Sequence, residues 1–386
     1  MDIEIGIGKT ARRAYGFDEV AIVPSRRTRD PDDVDVSWEI DAWTFDLPLM
    51  ASAMDGVVSP ATAIEIGKLG GLAVLNLEGL QTRYEDPDPI FEEIASLSDD
   101  KATRRMQEIY QQEPIKEQLI VQRIKEVKES GVVVAASLTP QRVARYADLI
   151  LQAELDILVI QGTVVSAEHV STRSEPLNLK QFIASFDIPV IVGGCASYQT
   201  ALHLMRTGAV GVLVGVGPGA ACTTRGVLGV GVPQATAIAD AAGARMEHLR
   251  ETGRYVHVIA DGGMRTGGDI AKAIACGADA VMIGSPLAKA YEAPGRGYHW
   301  GMATFHPDLP RGTRVATKRI GSLREILVGP AHENDGTLNL MGALRTSMAT
   351  TGYGNVREFQ KAEVVVAPAI KTEGKRDQQA QRVGMA

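Results

Sequence analysis

The segment whose composition most suggests chemistry is residues 215–225, which read GVGPGAACTTR. Three glycines at alternate positions allow the backbone to turn tightly and to direct its carbonyls or amides at a ligand. Cys222 follows them, with two hydroxyl side chains and the guanidinium of Arg225 close behind. A nearby positive charge stabilises a thiolate, and the thiolate is the nucleophilic form of cysteine. The segment therefore predicts a catalytic role for Cys222.

A packing role is the alternative interpretation of each cysteine, since free cysteines are usually small buried residues. The polar neighbours of Cys222 and its position after an apolar run favour catalysis there. Cys195, which follows Gly193-Gly194, is the second candidate, whereas Cys276 ends an alanine-rich helical pattern and is predicted to pack. Three scattered cysteines do not provide a disulfide framework or a cysteine-rich zinc site, and they suit a reducing cytoplasm.

Two further glycine-rich turns follow apolar runs later in the chain. Residues 259–264 read IADGGM, and residues 282–286 read MIGSP. Asp261 is suited to accept hydrogen bonds from a ribose diol, while the glycine amides and Ser285 are suited to donate to a phosphate. Ordinary turns also contain such glycines, so this prediction depends on the two turns lying side by side. A thiol loop beside a ribose-phosphate site implies a nucleotide that is attacked at its base.

Eight short apolar runs without polar alternation predict the elements that position these loops. Strands covered on both faces have this pattern, which is typical of a parallel sheet. The predicted strands are Leu47–Ser52, Leu72–Asn76, Val132–Ser137, Ile157–Gln161, Val190–Gly193, Gly211–Gly215, Val256–Asp261 and Ala280–Gly284. Helical patterns separate them, among them Ala61–Leu69, Tyr198–Thr207 and Gly268–Cys276. The alternation predicts the α/β class and a (β/α)8 TIM barrel with its chemistry on the loops after the strands, and an open doubly wound sheet is the alternative.

The domain organisation predicted is one catalytic barrel domain over residues 1–368, followed by a polar tail at 369–386. Residues 77–131 exceed a plain connection and carry a charged helical stretch with an apolar stripe, which predicts one or two extra helices on the barrel flank. Residues 299–335 are rich in glycine, proline and arginine and are poorly periodic. We expect them to form a flap at the catalytic end.

The overall composition excludes several classes of protein. The chain has 386 residues, with 40 Lys+Arg against 47 Asp+Glu and a formal net charge of −7. A nucleic-acid-binding protein would usually carry a basic surplus. No apolar run approaches the roughly 18 residues of a membrane span, and the first residues lack the apolar segment of a signal peptide. We therefore expect a cytoplasmic protein that binds neither nucleic acid nor a membrane.

From about residue 5 to residue 368, these motifs resemble those of the IMP dehydrogenase/GMP reductase family. Residues 217–225 are similar to the catalytic cysteine loop of the family, and residues 229–234, GVGVPQ, to its continuation. Further segments that resemble family signatures are residues 17–24, 52–55, 260–263, 282–285 and 342–348. Most IMP dehydrogenases insert a paired CBS module after strand two, and residues 77–131 are too short for it. Together with residues 8–15, GKTARRAY, this resembles the third, CBS-less branch known from cyanobacteria and actinobacteria.

The resemblance implies a purine nucleotide substrate and gives individual residues a role. Cys222 would attack C2 of the purine to form a covalent thioimidate, and Thr224 would assist proton movement at that carbon. The implied substrate-binding positions are Ser52, Met54, Asp261, Gly262, Gly263, Gly284, Ser285, Gly301 and Met302. The implied cofactor-binding positions are Gln161, Thr163 and Arg225, and the implied monovalent-cation ligands, for K⁺, are the backbone carbonyls of Gly217, Gly219 and Cys222. The family also implies NAD, with NADPH as the alternative, and a homotetramer.

Several positions depart from the family pattern. Ala220 stands where relatives have a phosphate-binding serine, and Gln161 stands where they have an aspartate that meets the dinucleotide ribose. The Arg-Tyr flap pair that activates water in IMP dehydrogenases has no match. GMP reductases use a glutamate in a Gly-Pro-x-Glu-Asn motif, and residues 329–335, GPAHEND, are one residue longer. Glu333 and Asp335 are therefore the candidates for a water-activating base.

Three functions are compatible with these residues. Oxidation of IMP to XMP with NAD is favoured by the likeness to the CBS-less branch, and it is the function that we predict. Reductive deamination of GMP with NADPH passes through the same thioimidate, and the missing CBS module and residues 329–335 favour it. A purine-nucleotide-binding protein with little turnover is the third, suggested by Ala220, by Gln161 and by the missing Arg-Tyr pair.

Overall fold

Eight parallel strands form a closed barrel in which neighbours follow the chain order. The computed structural model describes residues 2–172, 176–301, 313–370, 372–381 and 383–384. The barrel strands are β1 Leu49–Ala51, β2 Leu72–Asn76, β3 Ala135–Leu138, β4 Ile157–Gln161, β5 Val190–Cys195, β6 Gly211–Val214, β7 His257–Asp261 and β8 Ala280–Ile283. The barrel closes where β8 pairs with β1, Met282 opposite Met50. The predicted TIM barrel is confirmed, and the open sheet is wrong.

Helices surround the barrel and extend beyond it. They are α1 Pro60–Lys68, α2 Asp88–Ser96, α3 Asp99–Gln112, α4 Glu117–Lys128, α5 Val143–Gln152, α6 Leu179–Ala184, α7 Tyr198–Met205, α8 Thr224–Leu228, α9 Gln234–Thr252, α10 Gly267–Ala275, α11 Leu323–Leu327, α12 Leu340–Thr350, α13 Val356–Phe359 and α14 Arg376–Gln381. Short 3₁₀ helices lie at Phe17–Glu19, Pro31–Asp33, Leu80–Thr82 and Leu287–Lys289. Antiparallel pairs outside the barrel are Asp2–Gly6 with Lys9–Arg12, Val20–Ile22 with Val364–Val366, Trp38–Ile40 with Trp43–Phe45, and Tyr298–Trp300 with Arg314–Ala316.

Local sequence signals explain where several of these helices begin and end. Ser59 caps α1 by accepting a hydrogen bond from the backbone of Thr62, and Pro60 occupies the first helical turn. Gly208 and Gly277 follow α7 and α10 with φ values of +97° and +117°, a conformation that favours glycine. Each of these boundaries lies within two residues of the predicted one.

The strand boundaries also agree with the predicted ones, with one clear shift. The third strand is Ala135–Leu138 rather than Val132–Ser137. At Val134 the backbone N–H donates to the carboxylate of Asp156 at 2.9 Å, so only its carbonyl, which accepts from the N–H of Ile157 at 3.2 Å, takes part in pairing with β4.

The barrel interior is continuous with a hairpin below it. Met50, Leu213 and Ile259 are fully buried inside the barrel, in one cluster with Trp38 and Phe45 of the Trp38–Ile40/Trp43–Phe45 hairpin. The indole N–H of Trp38 donates to His257 at the start of β7 at 3.2 Å, which holds the hairpin under the amino-terminal ends of the strands. The opposite end, where the strands finish, is left for the loops.

The segment between β2 and β3 contains one helix of the barrel and two helices outside it. Helix α4, which carries the apolar stripe, packs between α1 and α5 as the regular partner of β2, so only α2 and α3 lie outside the regular barrel. Arg83 and Arg123 hold this segment together through main-chain carbonyls. The carbonyls belong to Glu78, Tyr110 and Glu113 for Arg83, and to Gln81, Tyr84 and Glu85 for Arg123.

The predicted flap begins in the Tyr298–Trp300/Arg314–Ala316 hairpin, which rests on α2 and α3. The guanidinium of Arg314 lies 4.2 Å from the ring centre of Tyr298. It also donates to the carbonyl of Leu97 at 2.8 Å and pairs with Asp99 at 2.7 Å. The hairpin is therefore anchored on the inserted helices, while residues 302–312, including the predicted Met302, lie outside the described residues.

Other predictions concern the periphery of the molecule. The tail contains the short helix α14, which has no buried residue. None of the helices in the described part of the chain has the length and hydropathy that a membrane crossing needs. Across residues 2–172, 176–301, 313–370, 372–381 and 383–384, histidine, cysteine and carboxylate side chains form no group of three or more that suits a metal ion.

Candidate active site

A cavity of about 400 Å³ opens where the barrel strands end. It brings together most of the residues that the sequence singles out. Those that line it are Ser52, Met54, Gln161, Thr163, Gly217, Gly219, Cys222, Asp261, Gly262, Gly263, Gly284, Ser285 and Gly301. Of the remaining predicted residues, Thr224 and Arg225 lie behind this wall.

The loop after β6 presents the thiol. Gly217 has φ +80°, and the N–H of Cys222 donates to the carbonyl of Gly219 at 3.0 Å, which closes a tight turn. Cys222 is half-buried and lines the cavity, and its Sγ lies 3.2 Å from the hydroxyl of Thr224. Thr224 is the first residue of α8 and is 2 % exposed. A fixed hydroxyl beside the sulfur can accept a hydrogen bond from the thiol or donate one to the thiolate.

Arg225 braces this loop from the outer side. Its guanidinium donates to the carbonyls of Val216 at 3.3 Å and Val232 at 2.7 Å. Burial lowers the pKa of Arg225, and the charge of Cys222 opposes that shift, so the guanidinium and the sulfur are close enough to interact. Contact between Arg225 and a cofactor stays a prediction, because the side chain does not line the cavity.

Asp261 ends β7 and places a carboxylate on the cavity wall. Its own main-chain carbonyl lies so close to the loop after β6 that a Cβ at Gly215 would come within 2.1 Å of it, which explains that glycine. Burial raises the pKa of Asp261 to about 7, and a hydrogen bond from Gln161 opposes the shift. The amide nitrogen of Gln161 lies 3.2 Å from Asp261 Oδ2.

The turns after β7 and β8 lie side by side, as the phosphate-site prediction requires. Gly262 and Gly263 have φ values of +78° and +85°, which side chains rarely adopt. The N–H of Gly262 donates to the carbonyl of Met282 at 3.1 Å, so Gly263, Gly284 and Ser285 stay the residues predicted to donate to a phosphate.

Gly284 and Ser285 have close neighbours that define this corner. A Cβ at Gly284 would lie 2.5 Å from the sulfur of Met54. The hydroxyl of Ser285 is 2.8 Å from Nε2 of His299, and burial lowers the pKa of His299 to about 4. Ser285 can donate its hydroxyl proton to a phosphate oxygen only in the tautomer in which Nε2 of His299 carries the proton.

The cavity also contains residues that sequence reasoning missed. Asn76 and Ser137 lie at the ends of β2 and β3, Glu78 and Thr139 follow these strands, and all four residues line the cavity. The carboxylate of Glu78 accepts the backbone N–H of Thr139 at 2.6 Å and pairs with Arg142 at 3.0 Å. Residues 76–78 lie at the start of the inserted segment, where the sequence carries no glycine-rich signal.

Gln234 is a second missed residue. Its side-chain amide donates to the carbonyls of Val214 at 2.6 Å and Asp261 at 3.1 Å, which ties the ends of β6 and β7 together. Gln234 is the last residue of segment 229–234, which resembles the family, so the sequence marks the position but does not show what its side chain binds.

The two carboxylates proposed as water-activating bases lie elsewhere. Neither Glu333 nor Asp335 lines the cavity, and Glu333 is exposed. Asp335 accepts hydrogen bonds from the backbone and hydroxyl of Thr337, and Gly336 accepts one from Gly267 at the start of α10. This placement gives the segment a turn-forming role and gives no support to either residue as the base.

A buried polar chain connects the inserted helices to the edge of the cavity. Asp55 is 0 % exposed and accepts hydrogen bonds from Asn76 at 3.0 Å, from the backbone of Leu80 at 3.1 Å and from the hydroxyl of Tyr110. The indole N–H of Trp300 donates to the same hydroxyl at 2.8 Å.

The residue after Trp300 reaches the cysteine loop. A Cβ at Gly301 would lie 3.4 Å from the carbonyl of Ala221, the neighbour of Cys222. The inserted helix α3, through Tyr110, therefore helps to fix the chain that borders the thiol.

Known proteins resemble this chain over the region that forms the cavity. A model of the IMP dehydrogenase / GMP reductase domain matches residues 14–306, which contain every described cavity-lining residue. The chain belongs to the IMP dehydrogenase/GMP reductase family. It is an oxidoreductase of that family, and the resemblance predicted from the motifs is confirmed.

Full-length relatives are found among curated proteins. The chain is 49% identical over 372 residues to an uncharacterized oxidoreductase of Mycolicibacterium smegmatis, covering 94% of this chain and 99% of the relative. It is 31% identical over 329 residues to the inosine-5'-monophosphate dehydrogenase of Borreliella burgdorferi, covering 81% and 78%.

A solved structure has the same fold over nearly its full length. It is an IMP dehydrogenase/GMP reductase-like protein from Corynebacterium glutamicum, with a TM-score of 0.90 and 48% identity, covering 95% of this chain and 97% of that one.

Proposed function

We propose that this protein oxidises IMP to XMP with NAD as the hydride acceptor. The observation that carries the proposal is that one cavity contains the Cys222 thiol, the Asp261 carboxylate and the turn at Gly284 and Ser285. A nucleoside monophosphate needs these three groups, since its base must meet a nucleophile while its ribose and phosphate are held apart from it.

The residues divide the work as follows. The sulfur of Cys222 forms a bond to C2 of the purine as C2 loses its hydrogen with an electron pair, and water then displaces the sulfur to give XMP. Thr224, 3.2 Å from the sulfur, assists proton movement by accepting a hydrogen bond from the thiol or donating one to the thiolate, and the thiol proton leaves to solvent water. The carboxylate of Asp261 accepts hydrogen bonds from the ribose hydroxyls. The phosphate accepts hydrogen bonds from Gly263, Gly284 and Ser285. Ser52 and Met54 border the base and ribose.

NAD, when bound, supplies the acceptor for the hydride that leaves C2. The same cavity continues past the predicted nucleotide residues to Gln161, Thr163 and Thr139, which leaves a wall of backbone, hydroxyl and amide groups for a second ligand. This continuity supports a binary site. The neutral carbonyls of Gly217, Gly219 and Cys222 suit K⁺ rather than a divalent ion, although Gly219 already accepts one hydrogen bond. A homotetramer is part of the proposal on family grounds.

The decisive experiment measures absorbance of the nicotinamide ring in two reactions. Purified protein is incubated with IMP plus NAD, and separately with GMP plus NADPH, both with K⁺ present. Growth of the reduced-nicotinamide signal in the first reaction alone supports the dehydrogenase, whereas its decay in the second alone shows a GMP reductase. No change in either, with IMP binding by calorimetry, shows a nucleotide-binding protein.

The role of the thiol has its own test. Cys222→Ala should reduce turnover by about 10³-fold or more, because no other group on the described cavity wall is a comparable nucleophile. IMP affinity should stay within about tenfold, since the ribose and phosphate contacts are unchanged. Cys195→Ala is the matched control and should retain turnover, because that thiol is 1 % exposed inside the barrel wall. Retained turnover in Cys222→Ala would show that the thiol is not the nucleophile.

A further inference from the structure

The end of β4 carries a glutamine whose side chain crosses the cavity to the end of β7. Gln161 Nε2 donates to Asp261 Oδ2 at 3.2 Å and lies 3.8 Å from the sulfur of Met282. Both Gln161 and Asp261 line the cavity. The sequence predicts separate duties for them, cofactor binding for Gln161 and ribose binding for Asp261, but the structure joins the two side chains.

We propose that Gln161 is a positioning residue for Asp261, holding its carboxylate ionised and oriented to receive the ribose hydroxyls of the nucleotide. The inference rests on the proposed function, because it assumes that the ligand of Asp261 is a ribose. It adds a role for a residue that the sequence assigns to the cofactor alone.

The chemistry of the pair supports this assignment. A carboxyl group accepts hydrogen bonds from two hydroxyl groups best when it is ionised, since protonation turns one of its acceptor sites into a donor. An amide N–H donated to one oxygen stabilises the ionised form and leaves the other oxygen and the remaining lone pairs for the ribose. A carboxylate at position 161 would instead place two acids within hydrogen-bond distance, and one of them would retain a proton.

The surroundings of Asp261 make the hydrogen bond from the Gln161 amide important for keeping the carboxylate ionised. Gln161 is the hydrogen-bond partner of this carboxylate within the described ranges, and burial otherwise disfavours its charge. The titratable and charged groups on neighbouring elements are Cys222 and Arg225 in the loop after β6, Glu78 after β2, and His299 behind the turn after β8. None of these is hydrogen-bonded to the Asp261 carboxylate.

The test is the pH dependence of IMP affinity, measured by calorimetry on the full chain from pH 6 to pH 9. Wild-type affinity should rise through about pH 7 as Asp261 ionises. Gln161→Met keeps the length of the side chain and removes the donor, so its profile should shift upward by about one pH unit. A shift of one unit weakens binding about tenfold at pH 6 and less than threefold at pH 9. Gln161→Glu should shift the profile at least as far.

Two controls separate this effect from others. The phosphate of IMP also titrates, with a pKa near 6, but it does so equally for both proteins and cancels in their ratio. With 2′,3′-dideoxyinosine monophosphate, which offers no ribose hydroxyl, the tenfold difference between wild type and Gln161→Met at pH 6 should disappear. Thermal melting confirms that each variant is folded.

The outcomes distinguish the inference from the proposed function. IMP binding by wild type with superimposable pH profiles for wild type and Gln161→Met overturns the inference alone. A loss of affinity in Gln161→Met that is equal at pH 6 and pH 9 also overturns it, since a packing role would produce that result. Failure of the wild type to bind IMP at any pH overturns the proposed function and the inference with it.

Discussion

Removing the hydroxyl group of Tyr110, in the inserted helix α3, should destabilise the protein more than the loss of a single ordinary hydrogen bond would. In Tyr110→Phe, the buried indole N–H of Trp300 loses its acceptor at 2.8 Å, and the fully buried Asp55 loses one of its donors. A buried unsatisfied donor costs about 1–3 kcal/mol, and a hydrogen bond to a charged group contributes about 1.5–3 kcal/mol. Allowing for partial rearrangement, we expect a loss of about 3 kcal/mol in the free energy of unfolding.

The matched control is another tyrosine of the same segment. Tyr84 donates its hydroxyl to the carbonyl of Ile109 at 2.9 Å in a partly buried position, so Tyr84→Phe should cost about 1 kcal/mol. Both variants are compared with wild type by urea unfolding at pH 7, followed by circular dichroism so that changes in tryptophan fluorescence do not interfere.

A double-mutant cycle locates the effect. If the bond to Trp300 carries part of the loss, then Tyr110→Phe and Trp300→Phe together should cost at least about 1 kcal/mol less than the sum of the single variants. The reasoning is refuted if Tyr110→Phe costs no more than Tyr84→Phe, because the buried chain through Asp55 would then contribute nothing particular to stability.

Three further predictions follow from the cavity. Burial raises the pKa of Asp261 to about 7 from an ordinary value of 3.8, so the folded form loses stability as pH rises from about 4 to about 7. In melting scans without nucleotide, Asp261→Asn should therefore melt at a higher temperature than wild type at pH 8 and at the same temperature at pH 4. An equal difference in melting temperature at both pH values would contradict this prediction. Gly284→Ala should weaken IMP binding more than tenfold in calorimetry, because its Cβ would meet a methionine sulfur at 2.5 Å, whereas Gly226→Ala, with open space and away from the cavity wall, should bind normally; equal affinities would show that this turn does not hold the nucleotide. Arg225→Ala should loosen the loop and at least double the rate of amide hydrogen exchange at Cys222, whose N–H is bonded within the turn, and an unchanged rate would remove the bracing role.

The sequence predicts the barrel well because its strands carry the signal locally. A run such as Ile157–Gln161 is apolar at almost every position, which only a strand covered on both faces explains economically. The loops after β6, β7 and β8 were also predictable, since glycines with positive φ at Gly217 and Gly263 are required by the turns themselves. The strands and the positions of these loops can therefore be predicted from residues that are close together in the sequence.

The contacts between loops were not predictable, because their partners are far apart in the chain. Gln161 and Asp261 are separated by 100 positions, and Tyr110 and Trp300 by 190. Neither pair has a recognisable spacing, so pairing depends on how the closed barrel brings strand ends together. Glu78 was missed for the same reason, and Asp335 was overvalued because a motif cannot show which way its loop faces.

The way in which Arg83 and Arg123 grip the inserted segment has an evolutionary consequence. Six of the groups they bind are peptide oxygens, which every amino acid supplies, and Arg123 also pairs with the carboxylate of Glu126 at 3.4 Å. Exchanges at those six positions would leave the grip intact, whereas lysine in place of either arginine would lose the forked donor geometry. Descendants of this chain should therefore tolerate exchanges at most of these positions while retaining both arginines, and Tyr110 is the exception because its hydroxyl bonds Asp55 and Trp300.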